Sequence, residues 1–169
     1  MKHLITLTLF SLFLVALTNA QDAKEFARLA ELKYKNQNYP EAIELYNRAI
    51  ALDSTTGNFY TRRGFLHTLV KDFDAAIDDY TKVISLDSKD KFAYLSRGGA
   101  YNKLAAYQDA IKDFNKVIVL DPQNWEAYNN RGIARKMLGD MENACRDWKM
   151  SKKLGNPEAK IILENNHCK

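Results

Sequence analysis

Glycine and proline are scarce, seven and three in 169 residues, which argues against a turn-rich β-sandwich and for helices. Histidine is as scarce as proline at three, and cysteine stops at two. No HExxH, glycine-rich phosphate loop or G-x-S-x-G elbow occurs. Asp78-Asp79 is a carboxylate pair by position only, since adjacent helical residues point about 100° apart. Nor is there a Lys/Arg run of the kind that forms a nucleic-acid arm, and the excess of charge is a scattered +4. The length leaves room for one ordinary domain and none for a second large catalytic one. With 46% hydrophobic and 27% charged residues the chain has the material for a folded core. The expectations are therefore negative ones: no enzyme activity, no cofactor, no metal, no nucleic acid.

The first twenty residues read as an address. Met1-Lys2-His3 is a short positive start, Leu4 to Leu17 is apolar apart from Thr6, Thr8 and Ser11, and Thr18-Asn19-Ala20 places small residues before a cut ahead of Gln21-Asp22. That order is the order of a secretory signal peptide over residues 1–20. The apolar run is shorter than the roughly 20 residues of a membrane span, so no span is expected after cleavage. Its removal leaves 24 basic against 21 acidic side chains. The destination is periplasmic or secreted.

Beyond the leader the chain is one unit written four times. Ala23–Thr56, Gly57–Asp90, Lys91–Asn124 and Trp125–Glu158 are consecutive blocks of 34 without gaps. The eighth place holds Ala30, Gly64, Gly98 and Gly132, and the twentieth Ala42, Ala76, Ala110 and Ala144. Aromatics recur at the fourth place (Phe26, Tyr60, Tyr94, Tyr128) and the twenty-fourth (Tyr46, Tyr80, Phe114, Trp148). Ala110, Ile111, Phe114, Val117 and Ile118 form an apolar stripe of helical period, and Phe92 to Leu104 supplies a partner helix with a break near Ala105-Ala106. Small residues at the eighth and twentieth places let two antiparallel helices approach closely while the aromatics fill the space beside the crossing. Neither helix buries its face within one block, so neighbouring blocks must stack.

This pattern resembles the tetratricopeptide repeat family over Ala23 to Glu158. The resemblance departs at the terminal proline, present only as Pro122 and replaced by Ser54, Ser88 and Asn156, and at the eleventh-place aromatic, present only as Tyr101. It implies an all-α, right-handed α-solenoid of four helix-turn-helix repeats, with residues 159–169 as a capping helix and tail. It further implies a concave wall made by the first helices that binds a protein or extended peptide. On that wall would lie Arg28, Asn58, Arg62, Phe65, Phe92, Leu95, Asn102, Asn129, Asn130 and Ile133. Asparagine amides suit a peptide backbone because each donates and accepts. Basic side chains around Phe65, Phe92 and Leu95 suit a partner with acidic and apolar residues. The lysine/asparagine clamp for chaperone-tail carboxylates is not reproduced at matching places.

A second periodicity changes two places together. The seventh is Arg63, Arg97 and Arg131 but Leu29 in the first block, and the twenty-third is Asp79, Asp113 and Asp147 but Leu45 in that same block. The expected arrangement is an Arg–Asp ion pair repeated down the stack, giving register more than stability. The alternative is three arginines lining a ligand groove. Cys145 and Cys168 either form a disulfide that pins the cap or remain as a buried thiol and one in a frayed tail. His67 reads as a structural or exposed helix residue. The functional reading is a non-catalytic adaptor or scaffold of the cell envelope. A self-associating structural protein that bridges envelope components through its convex face or ends is the other.

Overall fold

A computed structural model describes the backbone of residues 2–168 and the side chains of residues 19–168. The expected leader therefore lies almost wholly outside the residues whose side chains are described. The chain divides into two compact units, Met1–Lys71 and Asp72–Lys169. The described residues hold helices and turns only.

In the first unit, α1 (Lys2–Lys35) packs on α2 (Tyr39–Leu52), and α2 on α3 (Gly57–Leu69). Helix α1 thus runs on upstream of Ala23, the expected start of the first repeat. Ala23, Ala30, Ala42 and Ala49 are fully buried with Tyr46, Phe59 and Leu66. Alanine at the crossing brings the backbones together, and the rings occupy the flanks.

The second unit holds α4 (Phe73–Leu86), α5 (Lys91–Lys103), α6 (Tyr107–Leu120), α7 (Trp125–Met137), α8 (Met141–Lys153) and the short α9 (Ala159–Asn165). Each packs on the next in order, and α5 also touches α7. In this unit α5 and α7 each lean on the second helix of the block before as well as on their own partner. That is why a compact unit can begin inside a repeat, at Asp72. Helices α3, α5 and α7 open on the first place of their blocks, and α4, α6 and α8 on the seventeenth.

The turns repeat as closely as the helices. Gln37, Lys71, Ala105 and Gly139 all stand at the fifteenth place, and all four have positive φ, between 58° and 82°. Only Gly139 takes that conformation without steric cost. At the sixteenth place Asn38, Asp72 and Asp140 cap the following helix, each accepting from a backbone N–H three residues on. Ala106 has no side chain to do so. The third turn is thus the weak one in both respects. Replacing Ala105-Ala106 by Gly-Asp, as in the fourth turn, is expected to stabilise the chain by about 1 kcal/mol from each change. A urea unfolding midpoint no higher than the wild type's would refute this.

Candidate functional site

On the first-helix side of the second unit, α5 and α7 lie next to each other and present most of the wall residues. Phe92 is 49% exposed and Ile133 40%. Phe92 keeps one edge against Tyr80, ring centroids 6.5 Å apart and near perpendicular. Leu95 packs against the core of Ala110, Phe114 and Ala134 and so is only partly available. The Asn102 amide donates to the Asn130 carbonyl at 3.1 Å, tying α5 to α7. The Asn129 amide donates to the Asn130 side-chain oxygen at 3.3 Å. Both Asn102 Oδ1 and Asn129 Oδ1 are buried and accept nothing among the described residues. An amide oxygen hidden from water with no donor costs about 1–3 kcal/mol.

The first-unit wall residues are differently placed. Arg28 is tied to Glu25 one turn earlier at 2.7 Å, and that hydrogen bond holds the Glu25 carboxyl below the usual carboxylate range. Arg62 sits 3.3 Å from Glu31, the same carboxylate that accepts the Tyr46 hydroxyl proton. Burial and this carboxylate push the Tyr46 hydroxyl above its ordinary value. Phe65 rests edge-on against Tyr34 at 5.9 Å, and Asn58 is exposed. The basic character expected around Phe65 is therefore largely neutralised by Glu25 and Glu31. Those two acids share the same helix with Arg28, and the sequence reading counted only the cations.

The arginines of the seventh place act as clamps. Arg97 on α5 grips Asp113 on α6 through Nε and Nη2, both at 2.8 Å, and its third nitrogen donates to Thr81 on α4 at 2.9 Å. Arg131 on α7 repeats this with Asp147 on α8 at 3.0 and 2.7 Å and with Asn115 on α6 at 2.5 Å. Arg135 adds a third donor to Asp147 at 2.8 Å. Each guanidinium also lies over a tyrosine of its own helix, Arg97 over Tyr94 at 5.7 Å and Arg131 over Tyr128 at 5.4 Å. One planar, five-donor group thus joins a first helix to both second helices that flank it. In the first unit Arg63 donates to Asn47, the matching twenty-fifth place of its preceding block, at 2.7 Å. Arg63 and Asp79 belong to different units. The twenty-fifth place, Asn47, Thr81 and Asn115, escaped the sequence reading because its residue type varies while its role does not.

At the chain's end Cys145 on α8 and Cys168 beyond α9 are disulfide-bonded, Cα atoms 5.5 Å apart. Among the described residues no group of three or more His, Cys, Asp or Glu side chains is arranged to hold a metal ion.

A single constellation recurs here: helix pairs of 34-residue period, small residues at the crossing, and a polar and apolar wall on the first helices. Family models of "TPR repeat" match residues 30–69 and 100–139, and one of "Tetratricopeptide repeat" matches 57–90. The chain belongs to the tetratricopeptide repeat family, whose members are in general protein-interaction adaptors or scaffolds and typically not catalysts. Among solved structures, a MamA crystal structure superposes with a TM-score of 0.75 at 24% identity, covering 82% of this chain and 76% of that one, a likeness of fold. The TPR domain of Arabidopsis OM64 gives 0.65 at 30% identity over 70% of this chain and 98% of that one. The first TPR of Spaghetti (RPAP3), bound to the HSP90 peptide SRMEEVD, gives 0.67 at 28% over 71% and 95%. A curated relative, serine/threonine-protein phosphatase 5 of Solanum lycopersicum, is 36% identical over 55 residues, 32% of this chain and 10% of its own length. The chain thus spans about a tenth of that phosphatase.

Proposed function

We infer that this chain is a non-catalytic adaptor that binds a protein segment along the first-helix wall of its second unit, and that it works outside the cytoplasm. The observation that carries the binding is the exposed apolar pair Phe92 and Ile133 on the neighbouring first helices α5 and α7, which also carry the half-buried amides of Asn102, Asn129 and Asn130. Apolar side chains of an extended segment would cover Phe92 and Ile133. The likeness to a TPR that holds the peptide SRMEEVD supports a peptide as the ligand. Export is supported by the composition of residues 1–20 and by the Cys145–Cys168 disulfide, a bond that persists in oxidising compartments.

A photo-crosslinking amino acid at Phe92, with a second probe at Lys82 on α4, tests this in the native envelope or medium. The Phe92 probe is expected to capture one defined protein that the Lys82 probe does not. Capture from Lys82 alone, or of the chain itself by both probes, would overturn the wall as the working surface and favour a self-associating scaffold.

A further inference from the structure

We propose a second binding surface at the C-terminal end: the pair α8–α9, held by its disulfide, accepts an acidic polypeptide segment bearing apolar residues. Between Arg146 and Glu164 stand five cations, Arg146, Lys149, Lys152, Lys153 and Lys160. Of the carboxylates there, Asp147 is buried and consumed by Arg131 and Arg135. That leaves Glu158 and Glu164 on the surface, together with Glu142, which lies one turn before Arg146 and pairs with it. A hollow of about 340 Å³ is lined by Lys149, Lys152, Lys160, Leu163, Glu164 and Cys168. Three ammonium groups thus face one carboxylate, and Glu164 stands 4.0 Å from Lys160. A second hollow, about 450 Å³, opens beside Glu142, Cys145, Arg146, Lys149 and His167, again with Cys168 in its wall, and there Glu142 pairs with Arg146. Met150 and Ile161, 37% and 60% exposed, lie on the same two helices.

The shape selects among anions. A flat bilayer does not enter a hollow, and an inorganic anion makes no use of Leu163, Met150 or Ile161. A glutamate on a neighbouring polypeptide does both: its carboxylate meets the ammonium groups while its methylenes lie against Leu163 and the lysine stems. The surface also has a condition. Helix α9 has seven residues, too few to hold itself as a helix in water. Cys168 walls both hollows, and its bond to Cys145 ties that wall to α8. Reduction releases the tail and dismantles the surface, whereas the first-helix wall on α5 and α7 keeps its own packing.

The test is fluorescence anisotropy of a short labelled peptide of alternating Glu and Leu, titrated with the full chain. Oxidised wild type is expected to bind it and to ignore the Gln–Leu version. Lys152→Glu/Lys160→Glu and Cys168→Ser are each expected to weaken binding about tenfold, as is reductant on the wild type. Because the first-helix wall is itself read as taking a peptide, binding that is lost in Phe92→Ala and kept in Lys152→Glu/Lys160→Glu would place the peptide on that wall and overturn the proposal. Circular dichroism checks that each variant keeps its helix content. Equal binding of the Glu and Gln peptides overturns the proposal, as does indifference to the lysine reversal. Lysine-dependent binding to phosphatidylglycerol vesicles with no peptide binding overturns it in favour of a lipid surface. Loss on lysine reversal without loss on reduction removes the redox condition and leaves the surface.

Discussion

Gly132→Ala is expected to destabilise the chain by about 3 kcal/mol, at the top of the range for overpacking a core. A Cβ placed on Gly132 meets Trp148 Nε1 at 2.6 Å and Cδ1 at 2.9 Å. The indole has nowhere to go, since Trp148 is 1% exposed. Its N–H also donates to the Asn129 carbonyl at 3.2 Å, so pushing the ring aside strands a buried donor. The control is next to the equivalent place one repeat earlier. A Cβ on Gly99 meets nothing within 4 Å, and Gly99→Ala is expected to stabilise by about 0.5–1 kcal/mol through helix propensity alone. Urea unfolding of both variants decides the matter, with Trp148→Leu added to Gly132→Ala as a cycle. A coupling of at least about 1 kcal/mol in the direction of rescue is expected, because a smaller side chain makes room for the new methyl. Gly132→Ala within about 0.5 kcal/mol of wild type would show that the crossing has slack.

The same crossing explains how much of this molecule its sequence reveals. The eighth and twenty-fourth places recur in the second unit because Gly98 and Gly132 lie under the rings of Phe114 and Trp148, where an added Cβ would stand only 2.7 and 2.6 Å from a ring atom. Contacts inside one helix pair have a fixed spacing along the chain, so periodicity exposes them. The bidentate contacts of Arg97 with Asp113 and Arg131 with Asp147 are of this kind, sixteen residues apart each time. Contacts set by lateral approach have no such trace. The Asn102–Asn130 link across α5 and α7 depends on how closely two first helices lie. The neutralising role of Glu25 and Glu31 depends on rotamers at a surface. The disulfide depends on where a short final helix lands on α8. Period therefore gave the scaffold, and the chemistry of the wall and the end surface came only with coordinates.

The clamps make the last and most discriminating prediction. Asp113→Leu alone is expected to cost about 3–5 kcal/mol, because it leaves the Arg97 guanidinium partly buried without its carboxylate. Arg97 is 16% exposed and Asp113 6%, so water does little to rescue either. Arg97→Leu alone strands the aspartate and is expected to cost a similar amount. The double variant is another matter. The first repeat carries Leu29 and Leu45 at these two places, and both are half-buried there. The chain itself thus shows that the helix pair tolerates an apolar couple in place of the ionic one. Arg97→Leu/Asp113→Leu is expected to lie within about 1 kcal/mol of wild type, since replacing a buried pair by apolar residues is often neutral. Unfolding midpoints of the two singles and the double give the coupling directly. A double variant as unstable as the sum of its singles would show no coupling between the two side chains and would refute the clamp, whereas one as unstable as either single would mean that the pair contributes stability outright. Near-recovery means that the clamp works by direction: its third nitrogen, on Thr81, ties α5 to the preceding block at one setting. Two leucines fill the same space without choosing that setting, so the recovered double variant is expected to show faster amide exchange in α4 and α5 at nearly unchanged global stability.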